Sequence, residues 1–81
     1  MKEIFYFSAP WCQPCRTLGP IMESIADKVP YTKVDVDQDT ELAAKYKIRN
    51  IPTLVLVVNG VEKKRLTGLQ TANNVIDFYN G

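Results

Sequence analysis

The chain contains no histidine. That excludes a Ser-His-Asp triad, a Cys-His protease pair, a two-Cys two-His zinc finger and a c-type haem attachment site. Its two cysteines are too few for a four-Cys metal site in one copy, although two copies could pool four thiolates. No apolar run approaches the roughly 20 residues that span a bilayer. The start, Met1-Lys2-Glu3-Ile4-Phe5-Tyr6-Phe7, carries an acidic residue and a short apolar stretch, without the cleavage site of a secretory signal. Charge of one sign is also missing: ten Lys and Arg face nine Asp and Glu, for a net charge of +1. Such a balance carries no footprint for nucleic acid or an anionic membrane. A soluble, cytoplasmic monomer with neither as a partner is the expectation.

What is present suits one small domain spanning residues 1–81, with 46% hydrophobic and 23% charged residues. Glu3 to Ser8 is aromatic and apolar on both faces, as in a buried strand. Ala9-Pro10-Trp11 breaks it. From Cys12 to Lys28, Leu18, Ile21, Met22, Ile25 and Val29 recur at spacings of three and four, the period of an amphipathic helix, with Pro20 expected to kink it. Tyr31 to Val36 alternates as a second strand, Val34 and Val36 facing one way and Lys33 and Asp35 the other. Asp37 to Thr40 supplies turn and cap residues for a helix through Leu42, Ala43 and Tyr46. Thr53 to Val58 is the strongest strand signal. Asn59-Gly60 fits a type I′ hairpin turn into a strand from Val61 to Leu66, whose Lys63, Lys64 and Arg65 suit an exposed edge. Thr71 can cap a last helix carrying Ala72, Val75, Ile76 and Tyr79 on one face. The order is βαβ-α-ββ-α, an α/β domain with a mixed four-stranded sheet flanked by three helices.

The chemistry concentrates at Cys12 and Cys15. Two cysteines scattered at random over such a chain fall three apart about once in forty placements, so their position carries more weight than their spacing. They sit between a strand and a helix. In a helical first turn, residues i and i+3 have Cβ atoms roughly 5–6 Å apart, and a disulfide wants Cα atoms about 4.4–6.8 Å apart. The pair can therefore exist as dithiol or disulfide with little backbone motion. Cys12, at the positive end of the helix, should ionise more readily than an ordinary thiol, and Cys15, one turn in, should be more buried and less acidic. Pro14 suits a first turn that has no use for its missing N–H. A plain staple is the competing reading, but a bridge this short closes almost no loop and gains little by it.

Trp11-Cys12-Gln13-Pro14-Cys15 together with Ile51-Pro52-Thr53 resembles the thioredoxin family. The resemblance extends over Phe7 to Pro20, Lys33 to Asp37, Tyr46 to Thr53, Asn59-Gly60 and Thr67-Gly68, in order along the chain. It implies a minimal thioredoxin fold of glutaredoxin size, beginning at the family's central strand. It also implies reduction of protein disulfides, with Cys12 as nucleophile and Cys15 as resolving thiol. No metal or organic cofactor is implied beyond the Cys12-Cys15 disulfide. Disulfide-containing proteins would be substrates and a thioredoxin reductase the electron donor. The family pattern makes Pro52 cis. Trp11, Pro14, Ile51, Pro52, Gly68 and Leu69 would then line an apolar docking surface.

Other positions depart from the pattern. Gln13 stands where thioredoxins usually carry glycine, a position that helps set redox poise. Tyr6 stands where they bury an aspartate thought to serve Cys15, and a tyrosine cannot act as a carboxylate base near neutral pH. Lys33 matches the lysine beside that aspartate, and Pro20 matches the helix proline. A glutaredoxin-like enzyme driven by glutathione is the alternative that the chain length favours and the position of Pro14 opposes. A non-catalytic module using the same surface to bind proteins is another. Asp35, Asp37 and Asp39 imitate the start of a calcium-binding EF-hand loop, but Thr40 and Tyr46 occupy the places of its glycine and glutamate.

Overall fold

A computed structural model describes residues 1–81. It places β1 (Lys2–Ser8), α1 (Gln13–Ser24), β2 (Tyr31–Asp35), α2 (Thr40–Lys45), β3 (Thr53–Val58), β4 (Val61–Thr67) and α3 (Ala72–Asn80) along the chain. The strand order is β2-β1-β3-β4. β1 runs parallel to β2, and antiparallel pairing joins β1 to β3 and β3 to β4. The expected α/β fold, with its mixed sheet and three helices, is present.

Alternation along the strands divides the core between the two faces of the sheet. Ile4, Tyr6, Leu54 and Leu56 meet Leu18 and Met22 of α1 and Val75 and Phe78 of α3. On the other face, Phe7, Val34, Val55 and Val57 are buried with Tyr46, and Leu42 of α2 packs against them. β1 and β3 are apolar on both sides because both sides are covered. Each fully buried side chain of this size contributes about 1.5–3 kcal/mol. Phe78, outside the face read from the sequence, is buried, whereas Ala72, Ile76 and Tyr79 are half-buried.

Two differences from the sequence reading lie in α1 and β4. α1 runs unbroken through Pro20 but ends at Ser24 rather than Lys28. The Ser24 hydroxyl donates to the Ile21 carbonyl at 2.6 Å, and Ile25 leaves helical geometry. A further turn, closed by the Val29 N–H on the Ile25 carbonyl at 2.8 Å, still buries Ile25 and Val29. β4 carries an irregularity opposite Leu56 and Val57, which pair with Lys64 and Glu62 and leave Lys63 out of register. Lys47, two residues past the end of α2, takes a positive φ of 52°. At the hairpin, Asn59 and Gly60 both have positive φ, as the expected turn requires. The acidic residues after β2 serve the backbone: Asp35 Oδ1 accepts the Asp37 N–H and Asp39 caps α2 through the Leu42 N–H.

Candidate active site

The cysteines occupy the start of α1, where the chain turns off the end of the central strand β1. Cys12 is the N-cap, in extended conformation, and Pro14 lies in the first turn. Because a helix leaves its first N–H groups without backbone partners, the Cys15 N–H is free to donate, and it does so to Cys12 Sγ at 3.4 Å. The Arg16 N–H bonds the Cys12 carbonyl at 3.1 Å. The two sulfurs are joined as a disulfide with Cα atoms 5.2 Å apart, inside the range expected for the i, i+3 pair. Burial does not separate them as the sequence suggested, for Cys12 is 5% and Cys15 4% exposed. What separates them is their surroundings. Cys12 receives the helix N–H, and its sulfur lies 3.7 Å from the Ile51 carbonyl oxygen, whereas Cys15 lines a cavity on the α1 side of the sheet.

The Ile51–Pro52 bond is cis, which brings the turn before β3 beside the disulfide. Ile51 is half-buried and packs with Ala9, Cys12 and Cys15. Pro52, in contrast, is buried below 2% exposure, so it supports this surface from beneath rather than lining it. Gly68 has φ +92°, the left-handed region that favours glycine, and its N–H bonds the Pro52 carbonyl at 2.8 Å. Leu69 beside it is 52% exposed. Trp11 is 66% exposed, and its indole N–H donates to Asp37 Oδ2 at 2.7 Å. Pro14, Gln13 and Arg16 are exposed, and Gln13 Oε1 accepts from the Arg16 guanidinium at 2.7 Å.

Behind Cys15 the sequence reading is extended. The Tyr6 hydroxyl is buried and donates to the Cys15 carbonyl at 2.9 Å. Burial pushes its pKa above the usual tyrosine value, opposed by a contact with the Ser8 hydroxyl, so it stays a neutral donor. A cavity of about 330 Å³ opens there, lined by Tyr6, Ser8, Cys15, Lys33 and Asp35 among others. Lys33 and Pro20 thus border the same space as Tyr6. Sequence reasoning had not given Asp37, Ser8 or Asp35 a place at the site. The signal available was the parallel pairing of two strands, which brings both C-terminal ends to the helix N-terminus.

A dithiol–disulfide pair at a helix start beside an exposed tryptophan is the geometry of thiol–disulfide exchange. The thioredoxin family model matches residues 2–80. The chain belongs to the thioredoxin family. Thioredoxin from Mycoplasma genitalium is 42% identical over 77 residues, covering 91% of this chain and 76% of that one. Thioredoxin from Rickettsia bellii is 42% identical over 78 residues, covering 91% and 74%. Among solved structures, a mutant thioredoxin from Halobacterium salinarum superposes with a TM-score of 0.90 at 34% identity, covering 98% of this chain and 72% of its own. That of Fasciola hepatica gives 0.86 at 36% identity, with 96% and 80% covered.

The protein is therefore a thiol–disulfide oxidoreductase carrying the CxxC pair of that family. Thioredoxins need no cofactor beyond their redox-active disulfide, and no cluster of three or more acidic or cysteine side chains is placed to hold a metal. Disulfide-bonded proteins as substrates and a thioredoxin reductase are what the family implies as partners. No helix is long and apolar enough to cross a membrane.

Proposed function

We propose that the protein is a cytoplasmic, monomeric, single-domain disulfide reductase that takes its electrons from a thioredoxin reductase. Cys12 attacks a substrate disulfide and Cys15 resolves the mixed disulfide. The observation that carries the reading is the Cys15 N–H aimed at Cys12 Sγ, because a donor there stabilises negative charge on Cys12 rather than on Cys15. In the dithiol form Cys12 can also donate to the Ile51 carbonyl, 3.7 Å away, which holds its sulfur facing the substrate side.

The chemistry balances without a further group. Cys12 thiolate attacks one substrate sulfur and the other leaves as a thiolate with the bonding pair. Cys15 thiolate then attacks Cys12 Sγ, and the second substrate sulfur leaves in turn. Two electrons pass from the cysteine pair to the substrate. Trp11, Ile51, Gly68 and Leu69 supply the contact surface, and Ile51 offers backbone for an extended segment to pair with. Gln13 tunes the poise of the couple through its place between the cysteines.

The test is reduction of a disulfide-bonded protein, driven in parallel by NADPH with thioredoxin reductase and by glutathione with glutathione reductase. Turnover with the first, lost in Cys12→Ser, is expected. Cys15→Ser should retain attack and accumulate the mixed disulfide. Turnover with glutathione alone would overturn the assignment of the electron donor. No turnover with either, or with dithiothreitol, would overturn the reductase reading.

A further inference from the structure

The cavity behind the disulfide is lined by Cys15 and not by Cys12. At about 330 Å³ it far exceeds the roughly 10–15 Å³ that one water needs, and its polar lining offers partners. This matters because the resolving step requires Cys15 as a thiolate. Cys15 is 4% exposed and packs with Ala9, Cys12, Val36 and Ile51, surroundings that disfavour its charged form. It lacks the helix-start N–H that serves Cys12. A proton acceptor within reach is needed, and the nearest hydroxyl does not provide one: Tyr6 is already donating to the Cys15 carbonyl.

We infer that Asp35 takes the Cys15 proton through this cavity, with the Ser8 hydroxyl and cavity water as the bridge. The inference rests on the reductase reading and deepens it. Ser8 and Asp35 are partners in the parallel register of β1 and β2, at the strand ends nearest Cys15. Ser8 is 3% exposed, Asp35 is half-buried, and both line the cavity. Asp35 Oδ1 accepts the Asp37 N–H at 2.8 Å, which fixes the carboxylate and leaves Oδ2 without a hydrogen bond. Glu23, the other acidic residue on the cavity wall, is a weaker candidate. It lies eight residues along α1 from Cys15, about 12 Å at 1.5 Å per residue, and its charge acts on Tyr31.

The groups facing Asp35 are Tyr6 and Ser8 from β1, Arg16 and Glu23 from α1, Tyr31 and Lys33 on its own strand, and Asp37 from the following turn. Arg65–Glu62 is the only ion pair in the molecule, so Lys33 does not tie up the Asp35 carboxylate. In the resolving step the Cys15 S–H proton passes to Asp35, the Cys15 electron pair forms the bond to Cys12 Sγ, and the Cys12–substrate S–S bond breaks. The substrate sulfur leaves with that bonding pair and is protonated by solvent. Asp35 afterwards releases its proton through the cavity.

The experiment is a single turnover of the reduced full chain with a disulfide-bonded protein, quenched with acid, with the mixed disulfide followed by mass from pH 6 to about pH 9.5. In Asp35→Asn, decay of the mixed disulfide should slow about tenfold or more at pH 7, and the gap should narrow steadily as pH rises and hydroxide takes over the deprotonation. Asp35→Glu should recover part of the rate. Ser8→Ala, which leaves the carboxylate in place, should slow decay in the same pH range by a smaller factor, and it keeps the proposal testable should Asp35→Asn not fold. Glu23→Gln should resolve at the parent rate. Decay of Asp35→Asn at the parent rate at pH 7, a defect equal at every pH, or a loss that follows Glu23 instead would each overturn the proposal. Failure of the parent chain to form any mixed disulfide would overturn the reductase reading and this inference together.

Discussion

Trp11 donates its indole N–H to Asp37 Oδ2 at 2.7 Å while two-thirds of its surface, 66%, faces solvent. A ring that large is normally held by burial. Here a single hydrogen bond to the turn after β2 holds it over the site. The two residues are 26 positions apart and meet because β1 and β2 run parallel, so that the segments leaving both strands emerge at the same end of the sheet.

If the exposed ring is a contact for substrates, Trp11→Ala should cost little stability and much recognition. We expect the folding free energy to change by less than about 0.5 kcal/mol, as for a surface position. Against a protein disulfide, kcat/KM should fall about tenfold, the cost of truncating a tryptophan anchor worth about 1.4 kcal/mol. A small aromatic disulfide should lose far less. Asp37→Ala should show a milder form of the same split. Steady-state kinetics with both substrates, beside denaturant unfolding, decide it. Equal losses on the two substrates would mean that Trp11 acts on the cysteines instead.

Tyr6 makes the protein sensitive to alkali. Its hydroxyl donates to the Cys15 carbonyl, and burial raises its pKa above 10 in the folded state. The neutral form is the one that folding favours, so its contribution is fully present below pH 10 and is lost as pH rises through the folded value. Tyr6→Phe should cost about 1 kcal/mol at pH 7 from the lost hydrogen bond. Above pH 10 it should also fall off less steeply than the parent. A residual slope should persist, because burial and the nearby Glu23 raise Tyr31 too. Urea unfolding of the oxidised protein at intervals from about pH 7 to pH 11 measures both effects.

What the sequence made legible was whatever depends on period and local chemistry. The alternation of Lys33, Val34 and Asp35 set the faces of β2, Asn59-Gly60 set the hairpin, and the cysteines fell at the helix start. The registers that bring Ser8 opposite Asp35, and Trp11 within reach of Asp37, are pairings between distant segments that no local pattern encodes. The Ile51–Pro52 bond is cis as the family pattern implies, yet the burial of Pro52 depends on what packs over it. Lys63 slips out of register although the strand around it alternates without a break. Ser24 shortens α1 through a side-chain bond that competes with the backbone, a preference weaker than the hydrophobic spacing that runs on past it.

Lys47 shows a local rule set aside. It sits at φ 52°, with its N–H on the Ala44 carbonyl at 3.1 Å and the Ile48 N–H on the Ala43 carbonyl at 2.9 Å. That double closure usually takes glycine at the left-handed position. A side chain there carries a steric cost of roughly 1–2 kcal/mol, against which glycine loses more freedom on folding. Lys47→Gly should therefore stabilise the chain by roughly 0.5–1 kcal/mol with unchanged turnover. A rise in the thermal midpoint would bear this out, and a fall would mean that the lysine makes a contact worth more than its strain.

Glu62 and Arg65 supply the acid-sensitive counterpart. The Arg65 guanidinium hydrogen-bonds Glu62 at 2.6 and 2.7 Å and reaches on to the Tyr46 carbonyl at 2.7 Å, joining β4 to the end of α2. That hydrogen bonding holds the Glu62 carboxyl below its ordinary value of 4.5. A depressed folded value means that the contribution is present above about pH 4.5 and is lost as pH falls through the folded value. Both side chains are about one-third exposed, 34% and 31%, so solvent and salt screen the pair and its worth stays below about 1 kcal/mol. Glu62→Gln should destabilise the protein by that small amount at pH 7 and by nothing at pH 3, and 1 M salt should shrink the difference. Arg65→Lys should lose more than Glu62→Gln at neutral pH, because a lysine cannot span the carboxylate and the Tyr46 carbonyl together. Denaturant unfolding of the three proteins at about pH 3 and pH 7 separates the charge from the bridge: equal losses at both pH values in Glu62→Gln would show that the carboxylate's charge contributes nothing.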